Sequence, residues 1–523
     1  MQEMIQSEPS KPNAITDDTK FYERLGFVNH PFAHTNADEE LFLEEYFVPP
    51  PFFDSVIGDK WNAHASVILA PRGGGKSALR RSIEMWATHN EVLAVTYDRF
   101  DFTGIDSIVK VGLDYHMENI VKRVLIQLFS ELINNPGLVK KLDVTLKKML
   151  VAYSNLYFSS ISFSEIHKTI ATMTSVNEKA KDFWGKNIGV IDAVLKVVLK
   201  AIGLSDFNTP EFRKNTTVLD KSYRVQLMDL VSIAQKVGFK SIYILIDKLD
   251  ETTLTGNSVE DTYQLIAPVI RDIELLSTVG VGFKIFLWDK TINLFRKDAR
   301  PDRVNQNRLV WPRESLQKVL AERIYSFSDK RIFDFRSVMK NQEDCEKVDA
   351  YISILADRSP RNLIRCCNRI LIAQSNIDRN SEKIETVAVE LGIQDYCQEI
   401  LAETLEQEDI KLLFRIKSNI FTFQYLKEEV LPRQSKKYAL DKKDHWTKTG
   451  LLTCLEEIPE DDNLSTYYIA SPVLNRLIYK HMNLDGFFSS HWLVCPSCQA
   501  DLLYDLKNAD QSRVPCFECG SYI

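Results

Sequence analysis

The sequence predicts an α/β fold: a parallel sheet carrying a large helical insertion, then helical and mixed units, and a small cysteine-rich end. Three observations predict it. An apolar run, Ala65-Ser66-Val67-Ile68-Leu69, enters a glycine-rich stretch, Ala70-Pro71-Arg72-Gly73-Gly74-Gly75-Lys76-Ser77, and a helical pattern, Ala78 to Ile83, leaves it. A second β-branched run, Ser241 to Ile246, ends in Asp247-Lys248-Leu249-Asp250-Glu251. Two Cys-x-x-Cys pairs lie near the end of the chain.

Strand, glycine loop and helix in that order form a phosphate-binding loop. Gly73, Gly74 and Gly75 let backbone N–H groups curl around a β-phosphate, and the helix N-terminus adds partial positive charge. Lys76 reaches the β/γ-phosphates and the Ser77 hydroxyl is a Mg²⁺ ligand. Ala70 replaces the first glycine of the usual pattern, which is acceptable at negative φ. The expectation is an α/β P-loop NTPase core that takes ATP and Mg²⁺. Asp247, at the end of a strand buried on both faces, is the candidate metal-holding residue. Asp250 or Glu251 would polarise the attacking water. Acidic residues after a strand also serve as plain turn or N-cap residues.

The chain has 523 residues, enough for about two to four domains. With 45% hydrophobic and 26% charged residues it reads as a soluble globular protein. A net charge of −7 excludes a surface built wholly for nucleic acid but not a local basic patch. The first residues lack a signal-peptide pattern, and no apolar stretch is long enough to span a bilayer. The best candidate, Ile188 to Leu204, carries Asp192, Lys196 and Lys200 on one solvated helix face. Nine cysteines, five of them single or adjacent, suit a reducing cytoplasm. A cytoplasmic protein without a membrane partner is expected.

Residues 1–20 are polar and expected to be disordered. Residues 21–60, rich in aromatics and prolines such as Phe27, Pro31, Phe32, Tyr46 and Phe47, form a linker. It either covers the nucleotide site or simply packs on the core. The core is expected over 61–312, with a strand over Glu91 to Tyr97 and a helical insertion over 112–235. A strand over Phe283 to Trp288 ends in Asp289, placed to touch a γ-phosphate or the attacking water, or to cap the turn. An arginine-rich loop, Arg300 to Arg308, precedes a helix over Ser315 to Phe327. In the helical lid, 313–400, Ser359-Pro360-Arg361 starts another helix. A first-turn arginine opposes the helix dipole unless an anion compensates it, which singles out Arg361.

This order of parts resembles the AAA+-related ATPases of the STAND, KAP and origin-recognition kind. Ordinary AAA+ members carry glutamate where Lys248 stands, so the strand end is closest to STAND and KAP proteins. Phe27 to Arg81, with Pro31-Phe32, Ala37-Asp38-Glu39-Glu40 and Tyr46-Phe47-Val48, also resembles a bacterial family of stand-alone P-loop ATPases associated with phage defence or DNA transactions. The resemblance implies that Lys76 and Ser77 are the phosphate-loop pair, Asp247 the metal residue, and Asp250 and Glu251 the catalytic acids. It further implies that Arg361 is a sensor of the γ-phosphate, and that Arg303 and Arg308 are finger arginines offered to a neighbouring subunit of a homo-oligomer. A solvated basic loop is the competing reading of the last two. Against a hydrolysing switch or motor stands a STAND-like scaffold that binds ATP with negligible turnover and recruits an effector protein. A kinase is disfavoured because no acceptor-site motif is present.

Residues 401–483 are expected to be winged-helix-like, with strands over Gly450 to Leu455 and Thr466 to Ala470. Arg433, Lys436, Lys437, Lys442, Lys443 and Lys448 interleave with Tyr438, His445 and Trp446. That mixture suits a DNA contact, cations for phosphates and rings for stacking, or else a solvated helix face or a protein-binding wing. In the final unit, 484–523, Cys495, Cys498, Cys516 and Cys519 form two knuckles with seventeen residues between them. This is zinc-ribbon spacing, and four thiolates imply a structural Zn²⁺. Whether the ribbon grips DNA, RNA or protein stays open.

Overall fold

The computed structural model describes residues 20–40, 42–158, 199–200, 203–204, 221–300, 303–342, 347–458, 461–505 and 515–522. The expected disorder of 1–19 and the solvated face at Asp192 and Lys196 lie outside the described residues. Five strands form one sheet: β1 (Ser66–Ala70), β2 (Val92–Tyr97), β3 (Ser241–Ile246), β4 (Val281–Trp288) and β5 (Asn305–Arg308). Their order is β2-β3-β4-β1-β5 and every pairing is parallel. β1 to β4 are buried at every position, which is why they read as near-continuous apolar runs. With β4 lying between β1 and β3, the glycine loop after β1 and the acidic end of β3 flank one crevice at the carboxyl ends of the strands. This is a P-loop α/β fold.

Side chains alternate across the sheet. Ile242, Ile244 and Ile246 meet the core that contains the insertion helices, while Tyr243 and Leu245 meet the core shared with the linker and the lid. The insertion supplies helices Leu113–Asn134, Val144–Phe158 and Tyr223–Val237. In the first of these Ile120, Val121, Val124, Leu125 and Leu128 are all buried, the spacing expected of a helix face seated on a sheet.

Two expectations about strands are corrected. β2 begins at Val92, because Glu91 has φ 59° and cannot continue the pleat. The arginine-rich segment is not wholly a loop: residues Asn305 to Arg308 pair with Ser66 to Leu69 as an edge strand. Lys284 lies buried in the middle of β4. Its ammonium donates to the His64 carbonyl at 2.9 Å and sits 4.8 Å from the Tyr243 ring centre. Burial pushes its pKa down to about 7.

Helices Arg313–Phe327, Val348–Leu355, Pro360–Ile377 and Thr386–Thr404 follow. The last two cross closely at Gly392, where a Cβ would stand 2.4 Å from the Ile370 Cα. That helix runs to Thr404, past the boundary expected at 400. Helix Gln407–Leu413, β6 (Ile420–Thr422), a helical turn, helix Lys436–Lys448, β7 (Leu452–Glu456) and β8 (Thr466–Ile469) then build an antiparallel sheet in the order β6-β8-β7. This is the element order of a winged helix. β9 (Trp492–Val494) and β10 (Asp501–Leu503) make a final hairpin. Tyr351 stacks on Phe488 at 4.1 Å and Tyr468 meets Tyr504 at 4.6 Å, so aromatic pairs seat the last unit on the rest. Among the described residues no helix is long and apolar enough to cross a membrane.

Candidate functional site

The glycine loop owes its shape to two left-handed residues, Gly73 at φ 72° and Gly75 at φ 86°. A Cβ on Gly73 would meet Ser359 Oγ at 2.8 Å and Arg361 Cβ at 3.1 Å. The loop carbonyls are tied outward. Gly73 O accepts from Ser359 Oγ at 3.2 Å, and Gly74 O accepts from Trp311 Nε1 at 2.8 Å. With the carbonyls held there, first-turn amides of helix Lys76–His89, which have no intrahelical acceptor, are left for an anion.

Ser77 and Asp247 meet across the crevice: Ser77 Oγ donates to Asp247 Oδ2 at 2.8 Å. The same oxygen accepts from Arg80 Nε at 3.2 Å, and Oδ1 accepts the Lys248 amide at 2.9 Å. Arg80 is fully buried and also pairs with Glu84 and Asp38. Lys248, held at φ 59°, reaches Asp38 at 2.7 Å and Asp98 at 3.5 Å. Burial works against the Arg80 charge, but Glu84, Asp247 and Asp38 more than offset it and push its pKa up. Burial likewise opposes the Asp38 carboxylate, yet Arg80 and Lys248 hold it below its usual range. Carboxylates Asp38, Glu84, Asp98 and Asp247 gather around Arg80 and Lys248. Both Asp98 oxygens are buried without a hydrogen bond among the described residues. Such a centre fits a divalent cation.

The two candidate catalytic acids part company. Asp250 is buried, accepts from Arg72 Nε at 3.0 Å and stands 3.8 Å from Lys76 Nζ. Arg72 also donates to the Asp250 carbonyl at 2.9 Å and to Asn257 at 2.5 Å, and lies 4.4 Å from the Trp288 ring centre. Glu251 is exposed and lines the crevice.

The crevice is a cavity of about 440 Å³. It is lined by Gly73, Gly75, Lys76, Ser77, Asp247 and Arg361, and Leu43, Tyr46, Val48, Val319 and Ile364 give it an apolar wall. Gly74 backs the loop. Part of the linker, Thr35 to Ala37 and Tyr46 to Val48, is thus wall rather than distant packing. The Arg361 amide approaches Gly73 O at 3.4 Å, and its guanidinium has no ion-pair partner among the described residues. Asp289, Arg303 and Arg308 do not line the cavity. Asp289 and Arg308 stand 3.6 Å apart as a separate pair, and Arg308 and Arg303 are exposed. Arg72, Arg80, Asp38 and Trp311 were not predicted as site residues. Arg72 and Arg80 flank the lysine–serine pair, so the signal for them was their position in the motif.

The thiols of Cys495, Cys498, Cys516 and Cys519 all lie within 4.8 Å of one another. Sγ–Sγ distances are 3.8 Å for Cys495–Cys519 and 3.7 Å for Cys498–Cys516. Tetrahedral Zn²⁺ with Zn–S of about 2.3 Å requires sulfur separations of about 3.8 Å, so the residues fit that ion. Two short struts run from the glycine loop to this unit. Trp311 holds Gly74, and Arg313 Nε bonds Asp501 at 3.0 Å; Ser359 holds Gly73, and Arg358 pairs with Glu518.

On the winged unit the basic helix is partly spent on its own fold. Lys442 Nζ donates to buried Asp409 at 2.7 Å, and Lys443 pairs with Asp444 at 2.5 Å. Tyr438 donates to Glu408 at 2.8 Å. Trp446, expected to offer a ring for stacking, is completely buried; its helical register places it on the core face. Arg433, Lys436, Lys437, His445 and Lys448 remain exposed.

No protein-family model matches the chain, and no curated protein matches it. Among solved structures it is similar to the Aeropyrum pernix ORC2 protein in ADPNP–ADP complexes, at 11% identity and TM-score 0.37, over 85% of this chain and 99% of that one. It is also similar to the Aeropyrum pernix ORC1 protein in complex with DNA, at 10% identity and TM-score 0.35, over 88% and 99%. The fold assignment rests on the strand order and the glycine loop, not on these likenesses.

Proposed function

We propose that the chain is a Mg²⁺-dependent ATPase of the AAA+-related type, a switch or motor governed by oligomerisation. The observation that carries this reading is the junction of Ser77 and Asp247 at a carboxylate-rich centre, beside a glycine loop with its carbonyls tied back. Lys76 and Arg361 neutralise the phosphates, and the apolar wall at Leu43 and Val48 takes the base. Mg²⁺, when bound, draws charge from the phosphate oxygens. Glu251 is the better general base, because Asp250 is already clamped by Arg72. Asp289 paired with Arg308 stands ready to act at a subunit boundary, with Arg303 and Arg308 as fingers for a neighbouring copy. Single-turnover hydrolysis tests the assignment: Glu251→Gln should slow it by about 100-fold with nucleotide affinity kept, and an unchanged rate removes Glu251 from the reaction.

The exposed cations of helix Lys436–Lys448 and the zinc ribbon support a DNA partner, in anti-phage defence or another DNA transaction, inside the cell. Lys436→Ala with Lys437→Ala should weaken DNA binding and flatten its salt dependence; unaltered binding refutes this face as the contact.

One observation favours the scaffold reading instead. Among the described residues no hydrogen bond or ion pair orients the Glu251 carboxylate, so turnover by a lone chain is expected to be slow. A protein that binds ATP, assembles and recruits an effector without measurable phosphate release in the assembled state would establish that alternative.

A further inference from the structure

In the acidic run of the linker, Ala37-Asp38-Glu39-Glu40, one member, Asp38, meets the two cations beside Asp247. Asp38 sits in a short 3₁₀ turn, Ala37–Glu39, whose entry is fixed by Asn36 Oδ1 accepting the Asp38 amide at 3.1 Å. One Asp38 oxygen meets Arg80, and the other accepts from Lys248 Nζ at 2.7 Å. These are the two cations that flank Asp247, Arg80 through its side chain and Lys248 through its amide. Arg81, next along the helix, donates to the Ala37 and Glu40 carbonyls and so pins the same stretch of linker to the helix that follows the glycine loop.

We propose that Asp38 is a positioning residue for the metal site: it draws Arg80 and Lys248 off Asp247, and so leaves the Asp247 charge for a divalent cation only while the linker is seated over the cavity. Arg80 offers each of its three nitrogens to a different carboxylate, Asp247, Glu84 and Asp38. Without Asp38, a fully buried guanidinium would divide its charge between two carboxylates, one of them the metal residue. Lys248 would retain only Asp98, at 3.5 Å, beside the same strand end. Cations left on Asp247 compete directly with Mg²⁺ in a water-poor site, where screening is weak. The linker therefore does more than wall the cavity. Its seating sets the affinity of the metal centre, a coupling that works in both directions.

This inference rests on the nucleotide-binding reading, and the experiment separates the two. The 2′/3′-methylanthraniloyl (mant) derivative of ATP is titrated onto the full chain, with EDTA and then across a Mg²⁺ series, for wild type, Asp38→Asn, Asp38→Glu and Glu39→Gln. Glu39 is the control, since among the described residues its side chain bonds only its linker neighbours Asn36 and His34. Asp38→Asn should raise the Mg²⁺ concentration for half-maximal tightening by about tenfold, with affinity in EDTA unchanged. Asp38→Glu should recover most of that loss, and Glu39→Gln should match wild type. A wild-type Mg²⁺ dependence in Asp38→Asn, or equal weakening with and without Mg²⁺, overturns the inference. Wild type that binds no nucleotide at all refutes the proposed function instead.

Discussion

The cavity at the glycine loop takes its charged groups from positions 40, 72, 76, 247, 248, 250, 251 and 361, whereas the cysteine cluster takes four thiols from 25 residues, 495 to 519. The first exists only after the sheet has placed β4 between β1 and β3. The second needs two tight knuckles, and the pairs at 3.7 and 3.8 Å are set mainly by local turns. One site therefore inherits the cooperativity of the whole core; the other is a staple whose failure stays local.

That difference sets what each injury does. Cys516→Ser should abolish bound zinc and unfold the last unit, since a structural zinc is worth about 10–16 kcal/mol of apparent binding energy. Nucleotide affinity should hold within about threefold, because the struts to the loop are isolated ion pairs. Metal analysis and calorimetry on one sample check both halves, and a collapse of nucleotide binding would mean the two sites are a single unit. Arg80→Ala should do the reverse. It leaves Asp38 and buried Glu84 and Asp247 without their shared cation, costing about 3–5 kcal/mol of global stability by denaturant midpoint while zinc content is kept.

The core should also respond to mild acid. Burial lowers His116 to about 4, and in the fold its ring meets Tyr97 OH at 3.0 Å and the Leu265 carbonyl at 2.6 Å. The unfolded chain takes up this proton first as pH falls. The contribution is therefore complete above pH about 6.5 and lost progressively down to pH about 4, at most about 3 kcal/mol. His116→Gln should flatten the slope of stability in that window; an unchanged slope would place the acid sensitivity elsewhere. Smallest of all, Arg358→Ala removes a half-exposed pair with Glu518 and should cost less than about 1 kcal/mol in thermal melts. A larger loss would make that strut a true joint between the sites.

Legibility in the sequence follows the same divide. The glycine loop, the acidic end of β3, the cysteine spacing and the winged-unit strands were readable because each is a local pattern with its own physics. Arg80, Asp38 and Arg72 were not, because their meaning comes from partners about 40 to 210 positions away. Lys284 contradicts its own polarity by lying inside β4, where only a carbonyl and a ring receive it. Trp446 was misread because a ring among lysines looks like a contact surface until the helix register turns it inward. The edge strand Asn305–Arg308 escaped because it carries no apolar pattern; it pairs through its backbone and faces solvent with arginine.

The central claim is that Lys76, Ser77 and Asp247 jointly hold a nucleoside triphosphate and its magnesium ion. Titration calorimetry of ATP into the purified chain, with Mg²⁺ and with EDTA, tests it most directly when wild type, Lys76→Ala and Asp247→Asn are run together. The account predicts one binding event that Lys76→Ala weakens by at least about 100-fold, and that in Asp247→Asn survives but no longer responds to Mg²⁺. No heat from wild type, or equal heat from wild type and Lys76→Ala, would contradict it.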